Sequence, residues 1–213
     1  MTRLVIIRHG YSEYNKEQRW TGQLDIPLDE VGFRQADCTA QYVLENYSVD
    51  RVYSSDLCRA VATAEPIAKA LNLSVETSEK LREICAGEWQ GKTFAEVAEI
   101  YKNDYETYRA TPSTGHCTGG ESLGDVQLRA LEIVQEIAEK NDGKTVCIAT
   151  HGGVIRSLLS AWKNVSLDDS KSLGIVSNAS VTVVEYEAGR YTILGTFDKH
   201  LEGLTTQFVK GVF

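Results

Sequence analysis

The chain has 213 residues, of which 42% are hydrophobic and 24% charged, with only three prolines. This length and composition fit one α/β domain, or one domain with a sizeable insertion, and argue against long disordered linkers. The formal net charge of −8 at pH 7 excludes a general nucleic-acid or anionic-membrane surface, which needs broad fields of lysine and arginine. A small anion needs only a local basic cluster and stays compatible with this charge.

The N-terminal apolar run covers only residues 4–7 and stops at Arg8, which is too short for the core of a signal peptide. No later run approaches the length of a membrane span. The five cysteines are widely spaced without a Cys-x-x-Cys motif, a pattern that favours reduced thiols over a disulfide framework or a zinc ribbon. We therefore expect a cytoplasmic protein with no membrane segment, and the sequence leaves its oligomeric state open.

Apolar patterns predict six strands and four long helices. The strands are predicted at residues 3–8, 51–54, 74–77, 144–150, 180–187 and 190–197. The helices are predicted at residues 29–47, from a cap at Ser55-Asp56 to about 71, 122–140 and 154–162. Asp29 is a suitable N-cap for the first helix, and the second would hold Arg59 in its first turn. The last two strands alternate around Ala188-Gly189, which predicts a hairpin.

The stretch from residue 81 to about 120 differs from the rest of the chain. It has few strand signals, is rich in aromatic residues and contains Thr93-Phe-Ala-Glu96, the pattern of a capping box. We predict that it forms a helical lid inserted in a single domain that spans residues 1–213. The order of elements predicts an α/β fold, a three-layer α/β/α sandwich with a mostly parallel sheet, in which ligands bind at the carboxyl ends of the strands.

Two apolar strands are each followed by histidine and glycine, as Arg8-His9-Gly10 and Thr150-His151-Gly152. A lone histidine at a strand end is more often a hydrogen-bonded core group than a catalyst. Here, however, Arg8 closes a strand predicted to be buried on both faces, where a charge needs a partner or a ligand. Arg59 opens a helix at the same edge, and forked guanidinium groups match phosphate oxygens. The pattern favours an anion site over a pair of surface salt bridges.

With these motifs the chain resembles the histidine phosphatase superfamily, which includes cofactor-dependent phosphoglycerate mutases and many phosphomonoesterases. The resemblance spans nearly the whole chain and rests on an ordered set of segments, not on Arg-His-Gly alone. In chain order these are Arg8-His9-Gly-Tyr-Ser12-Glu-Tyr-Asn15, Thr21-Gly22-Gln23, Asp25-Ile-Pro27-Leu28, Gly32, Gln35-Ala36, residues 54–64, Leu81-x-Glu83, Gly87-x-Trp89-x-Gly91, Gly119-Gly120-Glu121-Ser122 and Thr150-His151-Gly152-Gly153.

The resemblance implies a role for each residue of the site. His9 would attack the phosphorus atom and carry the phosphoryl group. Charge on the phosphoryl oxygens would be stabilised by Arg8, Arg59 and a protonated His151. Glu83 would be the proton donor, although without the family pattern an ordinary exposed glutamate would be the preferred interpretation. The residues implied to contact phosphate or substrate are Arg8, Ser12, Asn15, Thr21, Gly22, Arg59, His151 and Gly152.

Some of these assignments have structural alternatives. For Asn15, Thr21 and Gly22, ordinary turn chemistry is an equally good interpretation. Ser12 departs from the threonine that is common in the family at this position, but it keeps the hydroxyl. No metal or other cofactor is implied, because no clustered carboxylates or His-x-x-x-His motif accompany the two histidines. A dinucleotide fold is disfavoured, because no Gly-x-Gly-x-x-Gly follows the first strand.

We expect a phosphomonoester hydrolase that forms a phosphohistidine and acts on a small phosphorylated metabolite. Mutases of the superfamily carry extra basic residues after the acid, whereas the segment from Glu83 to Lys92 offers one lysine and a further acid. In this it resembles the small bacterial broad-specificity and ribazole-phosphate-type phosphatases. A cofactor-dependent phosphoglycerate mutase is the second candidate. A non-catalytic module that binds a phosphometabolite is the third, and the intact set of site residues argues against it.

Overall fold

The computed structural model describes residues 1–174 and 176–204, and within them six strands form one mixed sheet in the order β3-β2-β4-β1-β5-β6. The strands are β1 (Thr2–Arg8), β2 (Arg51–Ser55), β3 (Val75–Ser78), β4 (Thr145–Thr150), β5 (Val181–Glu187) and β6 (Arg190–Phe197). The first four strands of this order run parallel, and β5 and β6 are antiparallel additions at one edge. The predicted strands are thereby confirmed to within one residue at each end.

Helices cover both faces of the sheet. The described helices are α1 (Glu13–Lys16), α2 (Glu30–Asn46), α3 (Cys58–Ala70), α4 (Phe94–Ile100), α5 (Lys102–Ala110), α6 (Leu123–Lys140) and α7 (Gly152–Trp162). On β1, Val5 and Ile7 join the core beneath α2 and α3, while Leu4 and Ile6 join the core beneath α6 and α7. A central strand buried on both faces reads as an unbroken apolar run. The predicted three-layer α/β/α sandwich is therefore confirmed.

The two long helices on the first face begin in different ways. Asp29 caps α2 as predicted, since its carboxylate accepts a hydrogen bond from the Gly32 amide at 2.8 Å. The predicted cap of α3 is wrong, because Leu57 holds the N-cap position without a side-chain bond. The first amide of the helix instead donates to Asp25 from the loop after β1, with Cys58 N at 2.7 Å from Oδ1. A distant residue thus ties that loop to α3.

The aromatic stretch between β3 and α6, which we predict to be an insertion and call the insertion below, contains α4 and α5. Thr93 and Glu96 form the predicted capping box at the start of α4. Backbone bonds join the insertion to the loop after β1: the Trp20 amide donates to Lys92 O at 2.9 Å, and the Phe94 amide donates to Gln18 O at 3.1 Å. The insertion is therefore paired with the loop that follows His9, and its movement as a lid remains a prediction.

The last two strands form the predicted hairpin. Ala188 and Gly189 both adopt positive φ angles, 48° and 82°, as a tight two-residue turn between twisted strands requires. No helix in the described part of the chain is long and apolar enough to cross a membrane.

Candidate active site

The two strand-end histidines lie side by side at the carboxyl edge of the sheet. Strands β1 and β4 pair in parallel with Arg8 opposite Thr150, so the next residue of each strand is a histidine. The His9 amide donates to Thr150 O at 2.9 Å, and the centroids of the His9 and His151 rings are 5.1 Å apart. Both side chains are buried. Strand register alone therefore brings together two residues that are 142 positions apart.

The backbone that follows His9 selects its tautomer. Nδ1 of His9 lies 2.7 Å from the carbonyl oxygen of Gly10, and an imidazole nitrogen in that place must carry the proton and donate it. Asn178 supports the same turn, because its Nδ2 donates to His9 O at 3.0 Å and to Gly10 O at 3.2 Å. Nε2 of His9 is consequently the nitrogen with the lone pair. Burial, and next the positive charges of Arg59 and Arg8, hold the pKa of His9 well below 6.5, so the ring is neutral at pH 7.

Two buried guanidinium groups flank the histidines. Arg8 donates to Val176 O. Arg59 donates to Gly22 O and to Leu24 O, and both of these bonds are 2.8 Å long. Within the described residues, Nε of Arg59 is buried and has no hydrogen-bond partner. Burial lowers the pKa of Arg8 to about 10 and also lowers that of Arg59, so both stay charged at neutral pH. Burying such charges is costly without an anion to share, which is the chemistry of a phosphate site.

His151 is fully buried beside these groups, and neither of its ring nitrogens has a hydrogen-bond partner among the described residues. Burial and the charge of Arg59 hold the pKa of His151 well below 6.5, which makes the ring neutral at pH 7 when only protein groups surround it. The expectation of a protonated His151 therefore requires the negative charge of a bound phosphoryl group. Once the His151 imidazole is protonated, both of its ring nitrogens carry a hydrogen, and either can donate to the phosphoryl group.

Glu83 faces the start of α7. Its Oε1 accepts from its neighbour's amide, Ile84 N, at 2.9 Å, and its Oε2 accepts from Gly153 N at 3.1 Å. A Cβ atom on Gly153 would lie 2.3 Å from Oε1, so a glycine at this position is what lets the carboxylate approach the helix. The side chain of Gln23 donates to the Glu83 carbonyl at 3.1 Å. Hydrogen bonds from two backbone amides thus fix the position of the Glu83 carboxylate, which is not an ordinary exposed glutamate.

These groups surround a cavity of about 200 Å³. Of the residues predicted to form the site, those in the cavity wall are Arg8, His9, Asn15, Thr21, Gly22, Arg59, Glu83 and Gly152. His151 lies behind the wall, next to His9. Ser12 also lies outside the wall, and its hydroxyl takes part in the capping box of α1 with Asn15. Oδ1 of Asn15 accepts hydrogen bonds from Ser12 and from Asn178. The Nδ2 of Asn15 is therefore the group that can donate to a ligand in the cavity.

Sequence reasoning missed several residues that build this site. Asn178 supports the His9 turn from a loop before β5, where no local pattern marks it. Arg156 lines the cavity from α7 and could have been noticed as a charge within an otherwise apolar helical run. Trp20 and Tyr108 pack against each other with ring centroids 5.7 Å apart, and both also line the cavity. Trp89 is fully buried beneath them.

Comparison with known proteins places the chain in a family. A sequence profile described as the histidine phosphatase superfamily (branch 1) matches residues 4–199. Phosphoserine phosphatase 1 of Hydrogenobacter thermophilus is 35% identical over 194 residues, which cover 91% of each chain. A metal-independent phosphoserine phosphatase of Arabidopsis thaliana is 33% identical over 195 residues, covering 91% of this chain and 80% of that protein.

Among solved structures, Bacillus stearothermophilus YhfR superposes with a TM-score of 0.86 at 34% identity, covering 91% of this chain and 96% of its own. The matches confirm the predicted fold and the predicted class of enzyme, a metal-independent histidine phosphatase-type phosphomonoesterase that acts on a small phosphorylated metabolite. The chain belongs to the histidine phosphatase superfamily, branch 1.

Proposed function

We propose that this phosphomonoesterase works through a phosphohistidine formed at Nε2 of His9. One observation carries the assignment: His9 lies in the wall of the cavity with its Nε2 unprotonated, and two buried arginines and a second buried histidine flank it. A neutral imidazole is a competent nucleophile, whereas an imidazolium is not. The bond from Nδ1–H of His9 to Gly10 O also stabilises the positive ring that forms when Nε2 bonds to phosphorus.

The reaction has two displacements at phosphorus. In the first, Nε2 of His9 bonds to phosphorus as the ester P–O bond breaks, and a protonated Glu83 gives its proton to the leaving oxygen. In the second, the Glu83 carboxylate takes a proton from water as the water oxygen bonds to phosphorus and the P–N bond breaks. Arg8 and Arg59 stabilise charge on the transferring oxygens throughout. His9 and Glu83 end as they began.

We prefer hydrolysis to the mutase alternative because the segment after Glu83 adds no basic side chain to the described cavity wall. Lys92 is the one basic residue in the segment from Glu83 to Lys92. Its ammonium group donates to Glu88 O at 2.7 Å and lies 5.7 Å from the ring centroid of Tyr101. It is outside the cavity wall, so it cannot hold a bisphosphorylated intermediate there. The phosphoserine phosphatase names of the relatives support a small phosphorylated acid as substrate.

A single experiment tests the nucleophile. The wild type is expected to release inorganic phosphate from phosphomonoesters such as O-phosphoserine in excess chelator, and quenching during turnover should trap an acid-labile, alkali-stable phosphoenzyme. His9→Ala should abolish both, and Glu83→Gln should slow turnover while phosphate binding persists. His116→Ala is the matched control, because this histidine is exposed and its ring pairs with Asp125 at 3.0 Å outside the cavity. Phosphate trapped on serine, or a strict need for a divalent metal, would contradict the proposal.

We also infer a cytoplasmic location, which is supported by five widely spaced cysteines without a disulfide pattern. Fractionation of the source cells should recover the activity with cytoplasmic markers, and activity in an extracytoplasmic fraction would contradict this inference.

A further inference from the structure

The loop at residues 177–180, just before β5, binds the backbone of the proposed nucleophile. The Ala179 amide donates to Arg8 O at 3.0 Å and to His9 O at 3.2 Å. The Asn178 side chain donates to His9 O and to Gly10 O, and Gly10 O is also the acceptor for Nδ1 of His9. The loop thus binds three successive carbonyls, those of residues 8, 9 and 10. The position of the His9 ring therefore depends on the conformation of this loop.

Ala179 has a backbone conformation that an alanine adopts only under constraint. Its φ angle is 58°, in the left-handed region, and the residue is fully buried. This conformation is strained for a residue with a Cβ atom, and it persists where surrounding contacts enforce it. Strained backbone of this kind is concentrated at functional sites. The contacts of the Ala179 carbonyl show what enforces it here.

Two side chains from other elements bind the Ala179 carbonyl. The buried hydroxyl of Thr39, on α2, donates to Ala179 O at 2.9 Å. Nε2 of His200, in the short turn Lys199–Leu201 after β6, lies 3.2 Å from the same oxygen and 3.0 Å from the Thr39 hydroxyl. Because a carbonyl oxygen can only accept, Nε2 of His200 carries the proton and donates it. The ring stacks on Tyr42 of α2, with centroids 4.6 Å apart and planes 13° apart, which fixes its orientation.

We propose that Thr39 and His200 are positioning residues for the nucleophile. By binding the Ala179 carbonyl, they keep loop 177–180 in its strained conformation, and the loop in turn fixes the backbone of His9. This proposal rests on the function proposed above, in which Nε2 of His9 attacks phosphorus. Neither Thr39 nor His200 is among the described residues of the cavity wall, so their effect passes through His9 and not through a contact with substrate.

Two substitutions at His200 separate its hydrogen bond from its packing. His200→Phe keeps an aromatic ring that can stack on Tyr42 but removes the donor, whereas His200→Gln keeps an N–H donor and removes the ring. Burial lowers the pKa of His200, so the ring is neutral at pH 7 and neither substitution removes a charge. Because a misplacement of about 1 Å in a catalytic group can cost on the order of 100-fold in rate, a partial displacement in His200→Phe should lower kcat for O-phosphoserine about 10-fold. The KM and the Kd for sulfate should change far less, and His200→Gln should retain most of the wild-type kcat.

The hydroxyl of Thr39 is tested with a matched pair of valine substitutions. Thr39→Val removes the hydroxyl and should lower kcat as His200→Phe does, while Thr39→Ser should restore it. Thr2→Val is the control, because the buried hydroxyl of Thr2 also donates to a backbone carbonyl, Ala138 O at 2.8 Å, but at the opposite end of β1 from His9. Thr2→Val should lower the urea midpoint as Thr39→Val does and leave kcat unchanged.

A spectroscopic measurement tests the same proposal without turnover. Long-range proton–nitrogen correlation spectra of the ligand-free enzyme distinguish ring nitrogens with and without a proton, and the His9 signals are those that disappear in His9→Gln. The wild type should show one His9 species, with the proton on Nδ1. Thr39→Val and His200→Phe should show doubled or broadened His9 signals, because the Gly10 carbonyl no longer has a fixed position. Thr2→Val should keep the single species.

Each contrary outcome identifies what fails. Either an unchanged kcat or unchanged His9 signals, in folded Thr39→Val and His200→Phe alike, would overturn the proposal. An equal loss of kcat in Thr2→Val would also overturn it, since the effect would then follow stability and not the position of His9. A wild type that releases phosphate with no phosphohistidine would instead overturn the function proposed above, and the His9 signals would still show whether Thr39 and His200 hold the ring.

Discussion

His9 and His151 are chemically alike but are held in opposite ways. Nδ1 of His9 is committed to the Gly10 carbonyl, which fixes the ring and leaves Nε2 to react. His151 has no hydrogen bond to either ring nitrogen within the described residues, although it is fully buried. Such a group costs stability unless a ligand completes it. In the proposed mechanism the two histidines therefore have different tasks: His9 is a fixed nucleophile, and His151 is a donor that becomes charged when the phosphoryl group binds.

This difference predicts proton uptake on anion binding. At pH 7 the pKa of His151 lies well below the solution pH, so the ring is neutral, and an adjacent dianion must raise that pKa and favour the protonated form. Binding of sulfate, which stays a dianion at pH 7, should take up about one proton per site. Calorimetry in buffers of different ionisation enthalpy measures this uptake.

The matched variants identify the group that takes the proton. Uptake should persist in His9→Gln and disappear in His151→Gln. Wild-type binding without uptake would contradict the assignment, as would uptake that survives in His151→Gln but is lost in Glu83→Gln.

At the scale of elements, helix α6 holds the segment that carries Glu83. Arg129 of α6 donates to three carbonyls of that segment, Lys80 O at 2.9 Å, Arg82 O at 2.6 Å and Glu83 O at 3.0 Å. The same guanidinium pairs with both oxygens of Glu121, at 2.9 and 3.0 Å, and Glu121 in turn accepts from Cys85 N at 2.7 Å. One arginine and one glutamate thus bind the backbone on both sides of the proposed proton donor.

Arg129→Gln should therefore impair catalysis more than anion binding. Because a misplacement of about 1 Å in a catalytic group can cost on the order of 100-fold in rate, we expect kcat to fall about 10- to 100-fold. The Kd for sulfate, which in the proposed mechanism depends on Arg8 and Arg59, should change far less. A fall in kcat with an unchanged Kd for sulfate would mark the effect as one on the position of the proposed proton donor.

The control for this variant is Lys80→Gln. Lys80 lies in the same segment and pairs with Glu132 at 2.7 Å, but the two side chains are 43% and 64% exposed, and ion pairs in contact with solvent contribute little. Equal effects of Lys80→Gln and Arg129→Gln, or a parallel loss of sulfate affinity, would show that Arg129 does not position the acid.

The helices and strands also show which parts of the fold can be predicted from the sequence. Strand β1 and the capping box of Thr93 and Glu96 follow from local patterns, and local patterns act within a few residues. The cap of α3 was misassigned because its real partner, Asp25, comes from a loop 33 residues away. The case of short α1 is different, since its local capping box of Ser12 and Asn15 coincides with residues that the resemblance assigns to substrate binding. A tertiary contact therefore decides the start of α3 but not that of α1.

In the site, the same limit applies. The two histidines and their arginines could be predicted because strand ends in a parallel sheet converge on one edge. Asn178 and the Arg129–Glu121 pair could not, because they act through backbone carbonyls whose positions only the folded chain defines.

Across the whole molecule, the insertion shares its core with the sheet. Leu81, Trp89 and Val97 pack in one continuous cluster with Leu4 and Ile6 of the central strand. The ring of Trp20, from the loop after β1, lies 5.0 Å from that of Trp89 and 5.5 Å from that of Phe94. An insertion with its own separate core could unfold alone, whereas one that completes the core of the sheet cannot leave without exposing it.

We therefore predict a single cooperative unfolding transition for the full chain. Two of the three tryptophans, Trp20 and Trp89, lie where the insertion meets the body, and Trp162→Phe removes the third, which stacks on Tyr191 at 4.7 Å. Fluorescence of this variant then reports on the insertion, while far-UV circular dichroism reports on the whole chain. In urea the two midpoints should coincide, and Trp89→Leu should lower the circular-dichroism midpoint of the entire molecule. A fluorescence transition at a lower urea concentration than the circular-dichroism transition would mean that the insertion unfolds independently. The free energy of that local unfolding would then contribute to how readily a substrate reaches the site.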